Sequence, residues 1–500
     1  MPISDAISQS AVASVVGIKT VFKNLKGVGN IIYLPQHLAV IGQGATASTY
    51  SNTKQQLTSA AAVAAAYGFG SPLHLAALQL FPINGDGVGT IPVTFFPLSD
   101  GDTAALGDST PTAGQTVQGT YQVSISNILS DLFVIAVGDS VADIITAMTA
   151  AINANLNMPM LAVDATPGSS TTCDLTTKWK GTSGDDIVVS INEVADGATF
   201  AFTQPTGGAD NPTVDAALAQ MGDVWYSMVL NCLDIVDTTA IDTYETFGVG
   251  RWGATVKKPL IVFTGQTATT VSSAGTVPEA NKTYFNNALL VAPASNDLPL
   301  IVAARELARI VVLADSNPPH DYVGQKATGL TPGADGNQWT YADRDQAVKD
   351  GVSTIEVKDG VINLSDTVTF YHPSGDPLPA YRYVVDIVKL QTTIFNLDLI
   401  FTLPEWQGAP LLPDADPTTN RTAKKPRMAR AAIASMLDSL GLEAIISDPE
   451  TAKDNTLAEI NGTNPKRLDV VVPVQLSGNT NIISINLEFG FFFGQATVVA

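Results

Sequence analysis

The chain has 500 residues, 45% of them apolar and 15% charged, with 26 Lys+Arg against 47 Asp+Glu and a formal net charge of −21. That length predicts about three domains with ample apolar material for their cores, and the charge argues against nucleic acid and anionic membrane surfaces as partners, since both would be repelled. Two cysteines, Cys173 and Cys232, are too few for a disulfide framework. No basic-then-apolar leader follows Met1 and no run of 18 apolar residues occurs, so the expectation is a chain made and assembled in a cytoplasm, with no membrane span.

Residues 1–28 carry no tidy helix cap and read as an N-terminal arm. Ile31-Ile32-Tyr33 and Leu38–Gly42 read as strands, and Ser59 and Ser71-Pro72 open two helices, 60–66 and 73–80. Ile91–Phe96 is the next strand. This β-α-α-β order predicts an α/β core. The composition then changes. Short strands at Tyr121–Ile125, Leu132–Val137, Met160–Val163 and Ile187–Ile191 surround a helix opened by the capping box Ser140-x-x-Asp143. Residues 97–212 therefore read as a small β/α domain inserted into a core formed by 29–96 and 213–350.

The α/β alternation resumes with strands at Val224–Leu230, Leu260–Phe263 and Leu289–Ala292. A helix at Thr238–Phe247 and another at Pro299–Leu313 alternate with them, the latter carrying Arg305 and Arg309 opposite its apolar face. The fold expected is an open mixed sheet covered by helices. An α+β C-terminal domain follows over 351–480. It has a hairpin turning at Asp359-Gly360, helices at Val384–Leu399 and 427–440, and a Pro/Asp linker between those helices. In the last segment, 481–500, Ile483, Ile485, Leu487, Phe489, Phe491 and Phe493 alternate with Ser484, Asn486, Glu488, Gly490 and Phe492, the period of a half-buried strand. Leu468, Val470, Val472, Val474 and Leu476 alternate likewise, so the expectation is a terminal hairpin turning at 477–480. Its last strand can pair within its own domain or on the edge of another subunit's sheet.

The spacings that catalysis requires are missing. There is no G-x-x-x-x-G-K-[ST] loop, H-E-x-x-H, C-x-x-C or G-x-S-x-G. His37, His74, His320 and His372 lack a second histidine at ligand spacing and read as structural. Gly42-Gln43-Gly44 and Gly85-Asp86-Gly87 read as turns rather than phosphate cradles. No catalytic residue, cofactor or metal is expected. One cluster breaks a local rule. Arg421, Lys424, Lys425, Arg427 and Arg430 crowd the start of the 427–440 helix, where the dipole disfavours cations by a few tenths to about 1 kcal/mol each, and such violations often mark a binding surface.

Three segments, in this order, carry a resemblance. They are Tyr67-Gly68-Phe69-Gly70-Ser71-Pro72-Leu73, then Gly138–Ile144 with Ala150–Ala154, then Ile485–Phe493. Together they resemble the tail sheath proteins of contractile-tailed phages, of the Mu-like type, over essentially the whole chain. The resemblance implies a non-catalytic, subtilisin-like core and a subunit that polymerises helically around a tail tube. It also implies terminal arms that pair with neighbouring subunits, and contraction from a metastable state. The implied partners are other copies of the chain, the tail tube protein, and baseplate and tail terminator proteins, in a virion tail. It further implies that the C-terminal domain faces the tube, with the basic cluster as the candidate contact. The alternatives are the sheath of a related contractile injection system or bacteriocin, and a subtilisin-like hydrolase.

Overall fold

A computed structural model describes residues 31–111, 118–193, 198–375, 380–487 and 489. The expected N-terminal arm, 1–28, lies outside them, as do Phe491 and Phe493. The described residues divide into two compact units, 33–392 with those from 478 onward, and 31–32 with 393–477.

The larger unit is built on a six-stranded sheet ordered Asn287–Val291, Ile261–Gln266, Met228–Asn231, Leu38–Gln43, Val93–Leu98, Gln55–Gln56. The first five strands run parallel, with Leu38 opposite both Met228 and Val93. Gln55–Gln56 is an antiparallel edge. Alternate side chains leave opposite faces. Leu38, Val40, Phe95, Leu230 and Phe263 share one core with helices Pro72–Leu80 and Pro299–Ser316. Ala39, Ile41, Phe96, Val229 and Val262 enter a second core with Ala240 and Tyr244 of helix Thr238–Arg251. Both faces are covered, which is why these strands read as continuous apolar runs.

Local signals account for many of the boundaries. Ser59 and Ser71 cap their helices, and Ser140 with Asp143 forms the expected capping box at Val141–Ala154. Asp359 (φ 52°) and Gly360 (φ 73°) make the left-handed turn joining Ile355–Lys358 to Val361–Leu364. Between Leu98 and Asp215 lie two four-stranded antiparallel sheets. Their buried residues, Val123, Ile135, Met160 and Leu175 among them, join the same core as Ile144, Met148 and Ile152 of helix Val141–Ala154.

Two features of the larger unit differ from the sequence expectation. Residues 351–392 belong to the larger unit, because Ser353 N donates to Leu289 O at 3.0 Å and Phe370 N to Asn287 O at 2.9 Å, extending the edge of the core sheet. Arg305, expected on the solvent face of its helix, is only 3% exposed. It donates to Asp86 O at 2.9 Å, and to Asp86 Oδ2 and Thr328 Oγ1 at 2.6 Å each. Asp86, held at φ 68°, also takes Arg309, so the glycine-rich loop expected as a turn is one, pinned by two guanidinium groups.

The smaller unit contains helices Pro426–Leu442 and Pro449–Asp454 and the end of helix Val384–Thr402, whose start lies in the larger unit. It also holds two short sheets, Leu457–Ile460 with Leu468–Val471 and Ile446–Ser447 with Gln475–Leu476. The expected terminal hairpin is therefore absent among the described residues. The run 468–476 does not pair with the described part of the chain end. Pro473 lacks the N–H that a ladder needs and splits the run in two. The first half folds back on Leu457–Ile460 through a short loop that Asn461 organises, its Oδ1 accepting from Thr463 N at 3.0 Å and Asn464 N at 2.9 Å.

Candidate functional site

Two regions single themselves out, the chain end and the start of helix Pro426–Leu442. The chain end is anchored and then released. Ser477 N donates to Ile445 O at 3.1 Å. Two residues on, Asn479 Oδ1 accepts from the fully buried Lys389 Nζ at 2.6 Å, and Asn479 Nδ2 donates to Pro319 O at 2.8 Å. From Ile482 to Leu487 the backbone makes no ladder with any described residue. Ile483, Ile485, Leu487 and Phe489 are 74%, 81%, 79% and 93% exposed, and Ile482 is exposed too.

The magnitudes bear on what that run needs. Burying five such side chains is worth about 1.5–3 kcal/mol each, roughly 8–15 kcal/mol together. Ordering Ile482–Phe489 costs on the order of 1–2 kcal/mol per residue. The two nearly cancel, so side-chain burial alone leaves little margin. A partner that also supplies backbone hydrogen bonds, a sheet edge, tips the balance. The hairpin Leu457–Ile460/Leu468–Val471 has only these two strands, so each leaves its outer edge unpaired among the described residues. Leu457 and Val471 are 62% and 60% exposed.

The basic cluster separates into buried and exposed members. Lys424 and Lys425 are buried. Lys424 Nζ lies 3.2 Å from Glu405 Oε2 and 4.9 Å from the centre of the Trp406 ring. Lys425 Nζ reaches the carbonyl oxygen of Asp416. Arg430 pairs with Asp414 at 3.0 Å, and the other Asp414 oxygen accepts from Arg427 N at 2.9 Å. Asp414 thus supplies the anion that a helix start favours, and the expected local violation is largely compensated. Only Arg421 and Arg427 present guanidinium groups to solvent without an ion pair to a described residue. Sequence reasoning missed Asp414, Glu405 and Trp406. The Pro/Asp linker before the helix was the available signal.

No catalytic constellation is present among the described residues. The histidine rings bond Thr94 Oγ1 (His37, 2.9 Å), Gly70 N (His74, 3.0 Å), Asp321 O (His320, 2.6 Å) and Glu279 (His372, 3.0 Å), and none meets a serine or cysteine. Burial, aided by Lys178, lowers the His74 pKa to about 4, holding it neutral as an acceptor. Burial also raises both thiols, Cys173 to about 11. No group of three metal-ligating side chains occurs among the described residues, and no helix there is long and apolar enough to cross a membrane.

In sequence, the chain is 22% identical over 414 residues to the Mu-like prophage FluMu tail sheath protein of Haemophilus influenzae, covering 80% of this chain and 82% of that protein. The chain is thus similar in sequence to one tail sheath protein over most of its length. No family model matches it. Among solved structures, the sheath tail protein of Listeria innocua matches 90% of this chain and 93% of its own at 13% identity and a TM-score of 0.47. That of Desulfitobacterium hafniense matches 89% and 93% at 13% identity and a TM-score of 0.44. A chain of the anti-feeding prophage baseplate in its contracted state matches 95% and 99% at 10% identity and a TM-score of 0.49.

Proposed function

We propose that this chain is the sheath subunit of a contractile tail, of the Mu-like type. It polymerises helically around an inner tube by lending its terminal strand to a neighbouring copy. The observation that carries this reading is the run Ile482–Leu487 with Phe489, anchored at Ser477 and Asn479, alternating in sequence, exposed and unpaired among the described residues, in a chain similar in sequence to a tail sheath protein over four fifths of its length.

In this reading the open edges of hairpin Leu457–Ile460/Leu468–Val471 receive the strand, and residues 1–28 serve as a second arm. A contact between two different surfaces of one subunit repeats without closing and generates a helix. The doubly covered core sheet, subtilisin-like in kind, is the rigid body. The arms hold as those bodies rotate. The extended assembly is kinetically trapped, and better subunit packing in the contracted form supplies the work. Tail tube, baseplate and terminator proteins are the further partners, with Arg421 and Arg427 the solvent-facing cations available to an acidic tube.

Deleting Leu487–Ala500 tests the reading. The expected result, by negative-stain microscopy and sedimentation, is soluble subunits that form no tubes where the full chain does. Tubes of normal length from the truncated chain would refute it.

A further inference from the structure

The smaller unit contains a cleft of about 630 Å³ whose lining includes Phe401, Trp406, Leu411, Pro465, Lys466 and Leu468. Its aromatic wall is built. Phe401 and Trp406 meet edge-on with ring centres 5.3 Å apart, and Lys424 holds the indole from one side at 4.9 Å. Lys424 is already neutralised by Glu405. Lys466, by contrast, is exposed and makes no ion pair to a described residue. Leu468 belongs both to the cleft and to strand Leu468–Val471, whose outer edge is unpaired among the described residues. The cleft therefore continues a candidate strand-accepting edge into an aromatic pocket with one uncompensated positive charge.

Only one stretch of the chain has the complementary chemistry beyond an exposed strand. After Leu487 the sequence reads Glu488-Phe489-Gly490-Phe491-Phe492-Phe493, one carboxylate and four phenyl rings in six residues. The run preceding it is already exposed and unpaired. We infer that the Phe401/Trp406 cleft is the docking site for the Glu488–Phe493 segment of a second copy of this chain, with phenyl rings against the aromatic wall and the Glu488 carboxylate on Lys466. This rests on the strand-lending reading above and adds to it the anchor that fixes register. Backbone pairing along an edge tolerates slips by two residues, whereas an aromatic side chain seated in a pocket does not, and buried aromatic anchors carry a large share of interface energy.

The test uses the full chain. Lys466→Glu, a change at an exposed position, is expected to raise the concentration needed for assembly about two- to five-fold, the range of one surface ion pair. Glu488→Lys in the same chain is expected to restore it. Phe489→Ala with Phe491→Ala is expected to raise it about ten-fold or more. In a chain carrying Pro465→Cys and Phe489→Cys, oxidation is expected to give a ladder of covalent multimers only under assembly conditions. Wild-type assembly with Lys466→Glu unchanged and no ladder would overturn the cleft while leaving strand lending intact. A covalent link confined to single chains would show the tail in its own cleft and would also overturn it. If no tubes form from the wild-type chain, and tail deletion changes nothing, both readings fall.

Discussion

Strand Leu38–Gln43 and the run Ile482–Phe489 are both apolar, yet their surroundings are opposite. Leu38, Ala39, Val40 and Ile41 are wholly buried, facing two different cores. Ile483, Ile485 and Leu487 lie almost bare. Alternation and apolarity specify that a segment wants a sheet, but not in which molecule that sheet lies. The core strand finds its neighbours in the same chain, at Met228 and Val93. The terminal run has no such neighbour among the described residues, so its burial energy remains available for association.

The sharpest way to break this contrast is truncation in each region. Phe95→Ala opens a cavity in the larger core and is expected to cost about 3–5 kcal/mol of unfolding free energy, read by urea denaturation of the unassembled subunit. Ile485→Ser removes as apolar a side chain, yet the subunit's stability should stay within about 0.5 kcal/mol while tube formation is impaired. Equal destabilisation by the two changes would mean that the terminal run is already packed in the free subunit.

Arg305→Ala probes a polar counterpart of the same idea, a charge fully engaged within the chain. It removes two hydrogen bonds to Asp86, at 2.9 and 2.6 Å, and one to Thr328 Oγ1 at 2.6 Å. The expected loss is about 1.5–3 kcal/mol, by thermal or urea unfolding. A cost under 0.5 kcal/mol would show that Arg309 and Thr328, which also bond the Asp86 carboxylate, suffice to hold the loop.

What the sequence disclosed and what it hid divide along the same line. Caps at Ser59, Ser71 and Ser140, the Asp359-Gly360 turn and the buried strands are decided by residues a few positions apart, and these were legible. The burial of Arg305 was not, because its partner Asp86 lies 219 positions away and helical periodicity sees only one helix. The basic cluster read as exposed for the same reason. Glu405 and Trp406 reach Lys424 from almost twenty residues upstream, and Asp414 meets Arg430 from 16. At the chain end the alternation was plain, but Pro473 diverted the preceding run to other partners, and no pattern within one sequence says that a strand will stay unpaired.

A more gradual effect is expected from pH. The pKa of the Asp186 carboxyl is raised to about 8, first by burial and then by the charges of Asp234 and Asp185. Burial likewise raises Asp234. In the unfolded chain the Asp186 carboxyl titrates near its ordinary 3.8. Between those values the folded protein binds the extra proton, so this group's stabilisation is full below about pH 4 and is lost as pH rises through about 8. The slope from one proton is at most about 1.4 kcal/mol per pH unit. Asp186→Asn should flatten the stability profile between pH 5 and 8 and stabilise the subunit most at the alkaline end. An unchanged profile would show that Asp186 ionises normally in the folded state.

The smallest effect on the subunit itself is expected where the basic cluster meets solvent. Arg421 and Arg427 make no ion pair to a described residue, so Arg421→Glu with Arg427→Glu should shift unfolding by no more than about 0.5 kcal/mol. Lys424→Glu, at a buried position beside Glu405, sets two carboxylates together and should cost several times as much. If the exposed pair serves a tube, the double reversal should abolish the salt-sensitive part of sheath–tube binding and leave sheath–sheath assembly intact, because the two contacts use different chemistry. Charges that meet a partner across water are screened within about 8–10 Å at physiological salt, while strand pairing is not. Raising the salt should therefore imitate the double reversal in tube binding and leave the exchanged strands in place. Loss of self-assembly in the Arg421→Glu/Arg427→Glu chain would instead assign these arginines to contacts between copies of the chain.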